Sequence, residues 1–331
     1  ILAAALTLGA CGDEGPVGIE SLVPEDLVQT FEVVLDASRF LTVDTTIGDF
    51  LDLDDLDYLL VAEDFGGALD AHSLMRFQVP VSFPVTGSSG STVRDSAAVP
   101  FGGEIVVRID SLRSVLAGPV RLALYRTGEA WDPSSATWDL RIDSGGVSEP
   151  WLVPGGTLAE LVDSVTIVPG DTVATFQIDS ATIASWADTT NMARGAVLVS
   201  ETPGSRVQID SLAFEVSARP SFGKDSVATE SGDLAGRTLV MDPIPAPGGD
   251  RLFIGGAQAW RAYFRLQERL DTITVQVPGV TPAMTVTLGE ATVNSAALIL
   301  EPVEAPAGFV LSDTVQFIGV PVFGAGNIPL A

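Results

Sequence analysis

The sequence predicts an all-β fold made of antiparallel β-sandwich or jelly-roll units, two in tandem, with the second incomplete. Short runs of alternating or β-branched apolar residues recur along the chain, as at 104–109 and 207–216. Clusters of Pro, Gly, Asp and Ser separate these runs at short intervals, as at 84–91 and 154–156. Helical patterns are few. Many short strands with turn signals between them are typical of an antiparallel sandwich.

Each strand is predicted from side-chain alternation, because a half-buried strand points successive residues to opposite faces of its sheet. One or two turns of helix are predicted at 179–187, around Ala184 and Trp186. In the first part of the chain the predicted strands are 31–35, 59–62, 74–77, 104–109, 120–125, 195–199 and 207–216.

The chain also resembles itself in two parts. Residues 59–62 are followed by 74–77, and residues 252–255 are followed in the same way by 263–266. Such self-similarity indicates a repeated structural unit. We therefore predict a first sandwich at 31–220 and a second at 221–331. The second unit is expected to be truncated, since it lacks a counterpart of the Trp-rich stretch of the first.

The N-terminus resembles that of a bacterial lipoprotein. An apolar run at 1–10 ends in Leu8-Gly9-Ala10 and is followed by Cys11, the only cysteine. The run is too short to span a membrane, which takes about 20 apolar residues. The resemblance implies a signal-peptide remnant at 1–10, a lipid on Cys11 and a linker at 11–30. A buried cysteine near the N-terminus is the alternative. The expected location is the cell envelope, at the outer membrane.

Composition excludes several functions. The net charge is −26, with 43 acidic residues against 17 basic ones. Such a charge repels nucleic acids and anionic lipid head groups. The hydrophobic fraction of 46% is high enough for packed cores, so a disordered chain is not expected. The expected partners are therefore the membrane, through the lipid, and a glycan or cell-surface protein, but no nucleic acid.

A second resemblance depends on the Trp-rich stretch and its neighbours. The pieces, in order, are Ser-Leu-Met-Arg-Phe at 73–77, Ala-Trp-Asp-Pro-Ser-Ser-Ala-Thr-Trp at 130–138, Trp151, Ile-Ala-Ser-Trp-Ala at 183–187 and Gly-Ala-Val-Leu-Val at 195–199. This order resembles the DNRLRE repeat, which is related to archaeal disaggregatase and has been classed as a carbohydrate-binding module. The likeness extends over 31–220, and over 225–331 in its first half. It implies a β-sandwich, extracytoplasmic display and glycan binding.

Three tryptophans are the candidate sugar-binding residues: Trp131, Trp138 and Trp151. Exposed aromatic faces suit sugar rings, but tryptophan also carries the largest apolar area into a core. We prefer the core interpretation for each. Trp151 is expected to be the most exposed, because Pro150 and the Pro-Gly-Gly turn at 154–156 flank it.

A dense acidic loop is the candidate Ca²⁺ site, with Asp52, Asp54, Asp55 and Asp57 as its ligands. Ca²⁺ takes six to eight hard oxygen ligands, and such a loop could supply several. The spacing is not that of an EF-hand. A solvated acidic loop is the preferred alternative, since charge runs usually face water.

His72, the only histidine, is expected at the start of a strand rather than in a catalytic triad. Zinc is disfavoured, because one histidine and a lipidated cysteine cannot form a site. Arg76 and Arg265 occupy equivalent places in the two repeats. We expect such an arginine to pair with an acid between the sheets; the alternative is an arginine that binds an anion.

These features favour a non-catalytic binding or adhesion module with carbohydrate as the preferred ligand. The alternative is a structural cell-surface or assembly protein without a small-molecule ligand. A carboxylate-dependent glycan hydrolase or lyase ranks last, because the sequence shows no nucleophile motif. Exposed tryptophans would support the first function, and buried ones the second.

Overall fold

The computed structural model describes residues 41–47, 57–243, 252, 254, 260–266, 272–275, 284–287, 297 and 299. The chain divides into two compact units, one of residues 1–45 and 263–299, the other of residues 46–262 and 300–331. As the sequence predicts, the fold is all-β: the described residues form 17 strands and one α-helix.

The elements are numbered in chain order. They are β1 (Leu41–Ile47), β2 (Leu59–Phe65), β3 (Leu69–Gln78), β4 (Phe83–Thr86), β5 (Thr92–Asp95), β6 (Val99–Ile109), β7 (Val120–Thr127), β8 (Leu140–Ser144), β9 (Val147–Pro150), β10 (Leu158–Ile167), β11 (Val173–Asp179), α1 (Ser180–Ala187), β12 (Ala196–Ser200), β13 (Ser205–Arg219), β14 (Ala228–Met241), β15 (Arg261–Leu266), β16 (Thr272–Val275) and β17 (Met284–Thr287).

A nine-stranded antiparallel sheet forms the larger unit. Its order is β10-β7-β12-β3-β14-β13-β6-β11, and β2 pairs with both β13 and β3. Side chains of β3, β7 and β12 share one buried core with side chains of β6, β11 and β13. The sheet therefore closes over this main core as a sandwich, with β10-β7-β12-β3 in one layer and β14-β13-β6-β11 in the other.

β14 joins the two layers. Its residues 228–232 pair with β13, and its residues 233–241 pair with β3. The strand begins after residue 220, where the sequence predicts the end of the first unit. The sheet of that unit therefore continues to Met241.

Four smaller pairings involve the strands that remain. β4 pairs with β5 and β8 with β9, each as a hairpin. Further along the chain β15 pairs with β1, and β16 pairs with β17. The strand predicted at 31–35 lies outside the described residues.

The centre of the main core is aromatic. The ring centroid of Phe77 lies 4.8 Å from that of Trp186 and 4.8 Å from that of Phe214. Trp186 comes from α1, the helix predicted at 179–187. Asp179 caps this helix, because its carboxylate accepts a hydrogen bond from the Thr182 N–H at 2.7 Å. The cap positions Trp186 between the layers.

The opposite face of the β3-β12-β7 layer is covered too. Side chains alternate along β3, so Met75 and Phe77 enter the main core while Leu74 faces the other way. Residues 129–157, here called the tryptophan segment, fold across this outer face. A second core forms between the segment and the sheet, made of Leu74, Ala123, Trp131, Ala136, Trp151, Val197, Val199 and Val240.

Candidate functional site

The three candidate sugar-binding tryptophans all belong to the tryptophan segment. Trp131 is 1% exposed and Trp151 is 5% exposed, and Trp138 packs partly buried against the same second core. Trp131 and Trp151 are thus core residues. The expectation that Trp151 is the most exposed of the three is wrong. Its indole N–H donates to the Thr137 carbonyl at 2.9 Å, which turns the ring inward.

The Pro-Gly-Gly turn after Trp151 is a close-packed contact instead of an exposed loop. Gly155 has φ +83°, and a Cβ built on it would lie 2.7 Å from the Trp138 ring and 2.9 Å from Nδ1 of His72. Only glycine allows an approach this close at a positive φ. The Pro-Gly-Gly turn at 154–156 therefore marks where the tryptophan segment packs closely against the sheet.

His72 contacts the tryptophan segment at this turn. Its Nδ1 lies 2.7 Å from the Gly155 carbonyl oxygen, and its ring centroid lies 5.0 Å from that of Trp138. Because a carbonyl only accepts, Nδ1 carries the proton. Burial lowers the pKa of His72, although the bond to Gly155 opposes the shift. His72 is thus a neutral structural residue on the outer face of β3, near the strand start that the sequence predicts.

Asp132 explains the most specific motif of the sequence, Trp-Asp-Pro-Ser-Ser. One carboxylate oxygen accepts from the Ser134 N–H and hydroxyl, and the other accepts from the Ser135 and Ser144 hydroxyls. Burial acts to raise the pKa of Asp132, but these hydrogen bonds outweigh it and lower the pKa. The motif is therefore a folding signal. An aspartate followed by Pro and Ser is a turn signature that points to this role.

A polar clamp closes the tryptophan segment on itself. The Glu129 carboxylate accepts a hydrogen bond from the Leu152 N–H at 2.8 Å and another from the Thr157 hydroxyl. Arg141 lies 3.7 Å from Glu129 and forms a second ion pair with Glu149. Arg141 also donates to the Ala130 carbonyl. These hydrogen bonds and ion pairs connect the start, middle and end of the tryptophan segment.

A groove opens beside this segment. It has a volume of about 630 Å³ and is open to solvent, with Arg76 of β3 in its wall. We call it the Arg76 groove; its other lining residues are Asp132, Pro133, Ser134, Leu234, Ala235, Gly236 and Arg237. Pro133 lies against β14 at Gly236, where a Cβ would come within 2.6 Å of the proline ring. Arg237 is a lining residue that the sequence does not single out, because β14 is not predicted as a strand.

Arg76 differs from the sequence-based expectation. It lies on the outer face of the sheet, and within the described part of the chain it forms no ion pair with an acid. Its guanidinium donates to the Trp131 carbonyl and lies 4.9 Å from the Trp131 ring centroid. The expected pairing with an acid between the sheets is therefore wrong for Arg76, since side-chain alternation points it away from the main core. The Arg265 side chain lies outside the described residues.

The candidate Ca²⁺ ligands cannot be assembled from the described residues. Asp52, Asp54 and Asp55 lie outside them, and Asp57 is exposed. Among the described residues, no group of three or more His, Cys, Asp or Glu side chains is placed to hold a metal ion. The Ca²⁺ loop stays a prediction.

Carboxylates do gather near the start of β3. Burial, and then the charges of Asp70 and Asp64, raise the pKa of Glu63. Burial, and then Asp70 and Asp139, raise the pKa of Asp242. Asp70 is common to both, so this acidic rim of the outer face is electrostatically unfavourable at neutral pH.

The structure does not test the lipid anchor, and its described residues add no support to the catalytic alternative. Cys11 lies outside the described residues, so its lipidation stays a prediction. No helix in the described part of the chain is both long and apolar enough to cross a membrane. The described side chains give no positive indication of catalysis: His72 is bonded to a carbonyl, and Asp132 is saturated by hydroxyl and N–H donors.

Comparison with known proteins adds no relative. No protein-family model matches the chain, and neither a curated protein nor a solved structure matches it significantly. The resemblance to the DNRLRE repeat therefore stays a prediction, drawn from the order of the motifs at 73–77, 130–138 and 151.

Proposed function

We propose that this chain is a non-catalytic, lipid-anchored domain of the bacterial cell envelope with a structural or assembly role. The observation that carries the proposal is the burial of Trp131 and Trp151 in the second core. A sugar-binding platform needs aromatic faces open to solvent. These rings instead hold the tryptophan segment on the sheet.

The covering of both faces supports the same role. A sandwich layer ordinarily leaves its outer face to water, with polar side chains along it. Here the outer face of β3, β7 and β12 carries Leu74, Ala123 and Val197, and the tryptophan segment covers it. Among the described residues, three layers thus pack on one another, which suits a spacer or scaffold that must keep its shape.

The outer strands of the two layers add a further argument. At one side of the sandwich, Asp163 of β10 accepts a hydrogen bond from the Gln177 N–H of β11 at 2.7 Å. A side chain thus occupies a backbone donor on a strand at the end of the sheet order. Blocked edges discourage pairing with strands of other molecules. Any partner is therefore expected to bind a surface of the folded unit.

The test separates binding from stability with single tryptophan variants. The protein beginning at Gly12 is screened on a glycan array with and without Ca²⁺, alongside Trp138→Ala and Trp151→Ala. Trp186→Ala, a main-core residue outside the candidate site, is the matched control. We expect no saturable binding of neutral glycans by any of the four proteins. We also expect a lower melting temperature for Trp151→Ala and Trp186→Ala, since truncating a buried tryptophan costs about 3–5 kcal/mol.

Glycan binding that Trp138→Ala abolishes at an unchanged melting temperature would overturn the structural role. It would restore the carbohydrate-binding function that the DNRLRE resemblance implies. A requirement for Ca²⁺ in that binding would in addition move the loop at Asp52, Asp54, Asp55 and Asp57 from a solvated face to a metal site.

A further inference from the structure

We propose that the Arg76 groove is a binding site for the carboxylate of a small organic acid, such as a sugar acid. The inference concerns a surface that the structural role does not use, and it stands or falls separately from that role. It depends on the state of one arginine, on the shape of the groove beside it, and on the charge around both.

Arg76 is a half-buried cation whose charge is poorly compensated. Its Nε atom is buried and has no hydrogen-bond partner among the described residues. One Nη atom donates to the Trp131 carbonyl, which is a neutral acceptor. A buried charge is ordinarily paired with an opposite charge and hydrogen-bonded. Arg76 instead has an aromatic face and a carbonyl.

Asp132 compensates that charge only in part. It lines the same groove as a carboxylate and acts on Arg76, but its oxygens accept from three serines and form no ion pair with Arg76. Arg194 is near enough to act on Arg76 with a like charge. Burial and then Arg194 lower the pKa of Arg76, and the opposing effect of Asp132 is smaller. Asp132 therefore leaves the positive charge of Arg76 and its neighbour Arg194 only partly compensated, on a protein whose net charge is −26.

The lining of the groove matches a small acid with an apolar or hydroxylated body. Arg76 and Arg237 both line the groove, and a planar guanidinium such as that of Arg76 fits a carboxylate through two parallel hydrogen bonds. Ser134, exposed at the rim, donates its proton to Asp132 but offers its oxygen as an acceptor for a ligand hydroxyl, and Pro133 and Leu234 offer apolar surface. A volume of about 630 Å³ is within the range of small-molecule sites.

The overall charge selects for a singly charged, small ligand. Repulsion by the other acidic residues acts on every anion that approaches, but salt screens it beyond about 8 Å at physiological ionic strength. A polyanion would lie along the acidic surface outside the groove and meet that repulsion over its whole length. A single carboxylate in the groove meets mainly the charges that line it, which are Arg76, Arg237 and Asp132.

Calorimetric titration with glucuronate, using glucose as the neutral control, tests the proposal. The two sugars differ in a carboxylate at one end, so only glucuronate is expected to bind. We expect Arg76→Gln to weaken glucuronate binding by roughly tenfold or more, because hydrogen bonds to a charged group are among the strong ones. Arg94→Gln, which removes an exposed arginine paired with Glu230, is the matched control and should leave the affinity unchanged.

A second pair of variants guards against a folding defect in Arg76→Gln. Ala235 is exposed and lines the groove, so Ala235→Asp adds a negative charge without removing a contact of Arg76. It should weaken glucuronate binding by more than Ala235→Asn does, since Asp and Asn are nearly isosteric and differ in charge. Equal heats for glucuronate and glucose would overturn the proposal. Binding of glucuronate that neither Arg76→Gln nor Ala235→Asp weakens would overturn it as well.

Discussion

On one face of β3, Phe77 packs between Trp186 and Phe214 in a core that consists of apolar side chains. On the opposite face of the same strand, His72 and Arg76 approach the tryptophan segment through a hydrogen bond to a carbonyl and a contact with a ring. Both faces are covered, but by different means. The inner face is stabilised by burial of apolar area, and the outer face by burial combined with specific polar contacts.

This difference predicts two kinds of failure. Apolar packing is shared among many neighbours, so a hole in the main core destabilises the whole sandwich. The outer face depends on a few close contacts at Gly155, Asp132 and Glu129. Loss of one of these should release the tryptophan segment while the sandwich stays folded, because regions of a protein open with different free energies.

The largest effect is expected from Phe77→Ala. Phe77 has no exposed surface, and its ring contacts Trp186 and Phe214 at the centre of the main core. We expect the free energy of unfolding to fall by about 3–5 kcal/mol. Urea unfolding followed by far-ultraviolet circular dichroism measures it. Val81→Ala is the control, since Val81 is 85% exposed and its truncation should change the free energy little. Equal losses in the two variants would contradict the assigned core.

Gly155→Ala should break the outer face selectively. The new Cβ would meet the Trp138 ring and His72 at under 3 Å, and the backbone would be held at a positive φ. We expect a loss of about 2 kcal/mol or more, of which the backbone term alone is about 1–2 kcal/mol. Tryptophan fluorescence should change at a lower urea concentration than the circular dichroism does.

Gly145→Ala is the matched control for that variant. Gly145 has φ +62° in the turn between β8 and β9, but no atom lies within 4 Å of a Cβ built on it. It therefore carries the backbone strain without the clash. If both variants lost the same free energy, the close approach at Gly155 would have no energetic role.

Asp132→Ala should have a smaller and pH-dependent effect. The variant loses the acceptor for three serines, which we expect to lower the stability by about 1–2 kcal/mol at neutral pH. The folded-state pKa of Asp132 is lowered, so this stability is present above the ordinary carboxyl pKa and is lost as the pH falls through the lowered value. Melting temperatures of the wild type and the variant should therefore converge in acid. A difference that stays constant with pH would show that the charge of Asp132 is not involved.

Much of the inner face could be predicted from the sequence. The runs at 59–62, 74–77, 104–109, 120–125 and 207–216 lie within β2, β3, β6, β7 and β13, because alternating or continuous apolar residues reflect burial in a core. The helix at 179–187 is also confirmed. The sequence does not predict β14, because the strand begins Ala-Thr-Glu-Ser-Gly-Asp, a polar run typical of loops. Its hydrogen bonds to both β13 and β3 place this segment in the sheet.

The outer face was harder to predict for a physical reason. Pro, Gly and Ser around Trp151 are typical of exposed turns, and the same residues also permit the closest packing. Which of the two applies at Gly155 depends on whether His72 and Trp138 lie opposite it, and these residues are distant in sequence. The Arg76 groove is likewise formed from β3, the tryptophan segment and β14. No local pattern brings these three together.

The smallest expected effect is a gain, at the acidic rim of the outer face. Asp70 contributes to the raised pKa of both Glu63 and Asp242, after burial. Asp70→Asn should remove that repulsion and raise the stability by about 0.5 kcal/mol at neutral pH. Asn keeps an oxygen that can still accept from the Asp64 N–H, as Asp70 does at 2.6 Å. Because a raised folded-state pKa means that the folded state binds protons more readily than the unfolded state, repulsion in the wild type is relieved as the pH falls through that pKa. The gain should therefore shrink in mildly acidic buffer, as melting temperatures across pH would show.

Asp210→Asn, at an exposed position of β13, is the control for a general reduction of negative charge. An equal gain in that control would assign the effect to net charge and leave the acidic rim without a specific role.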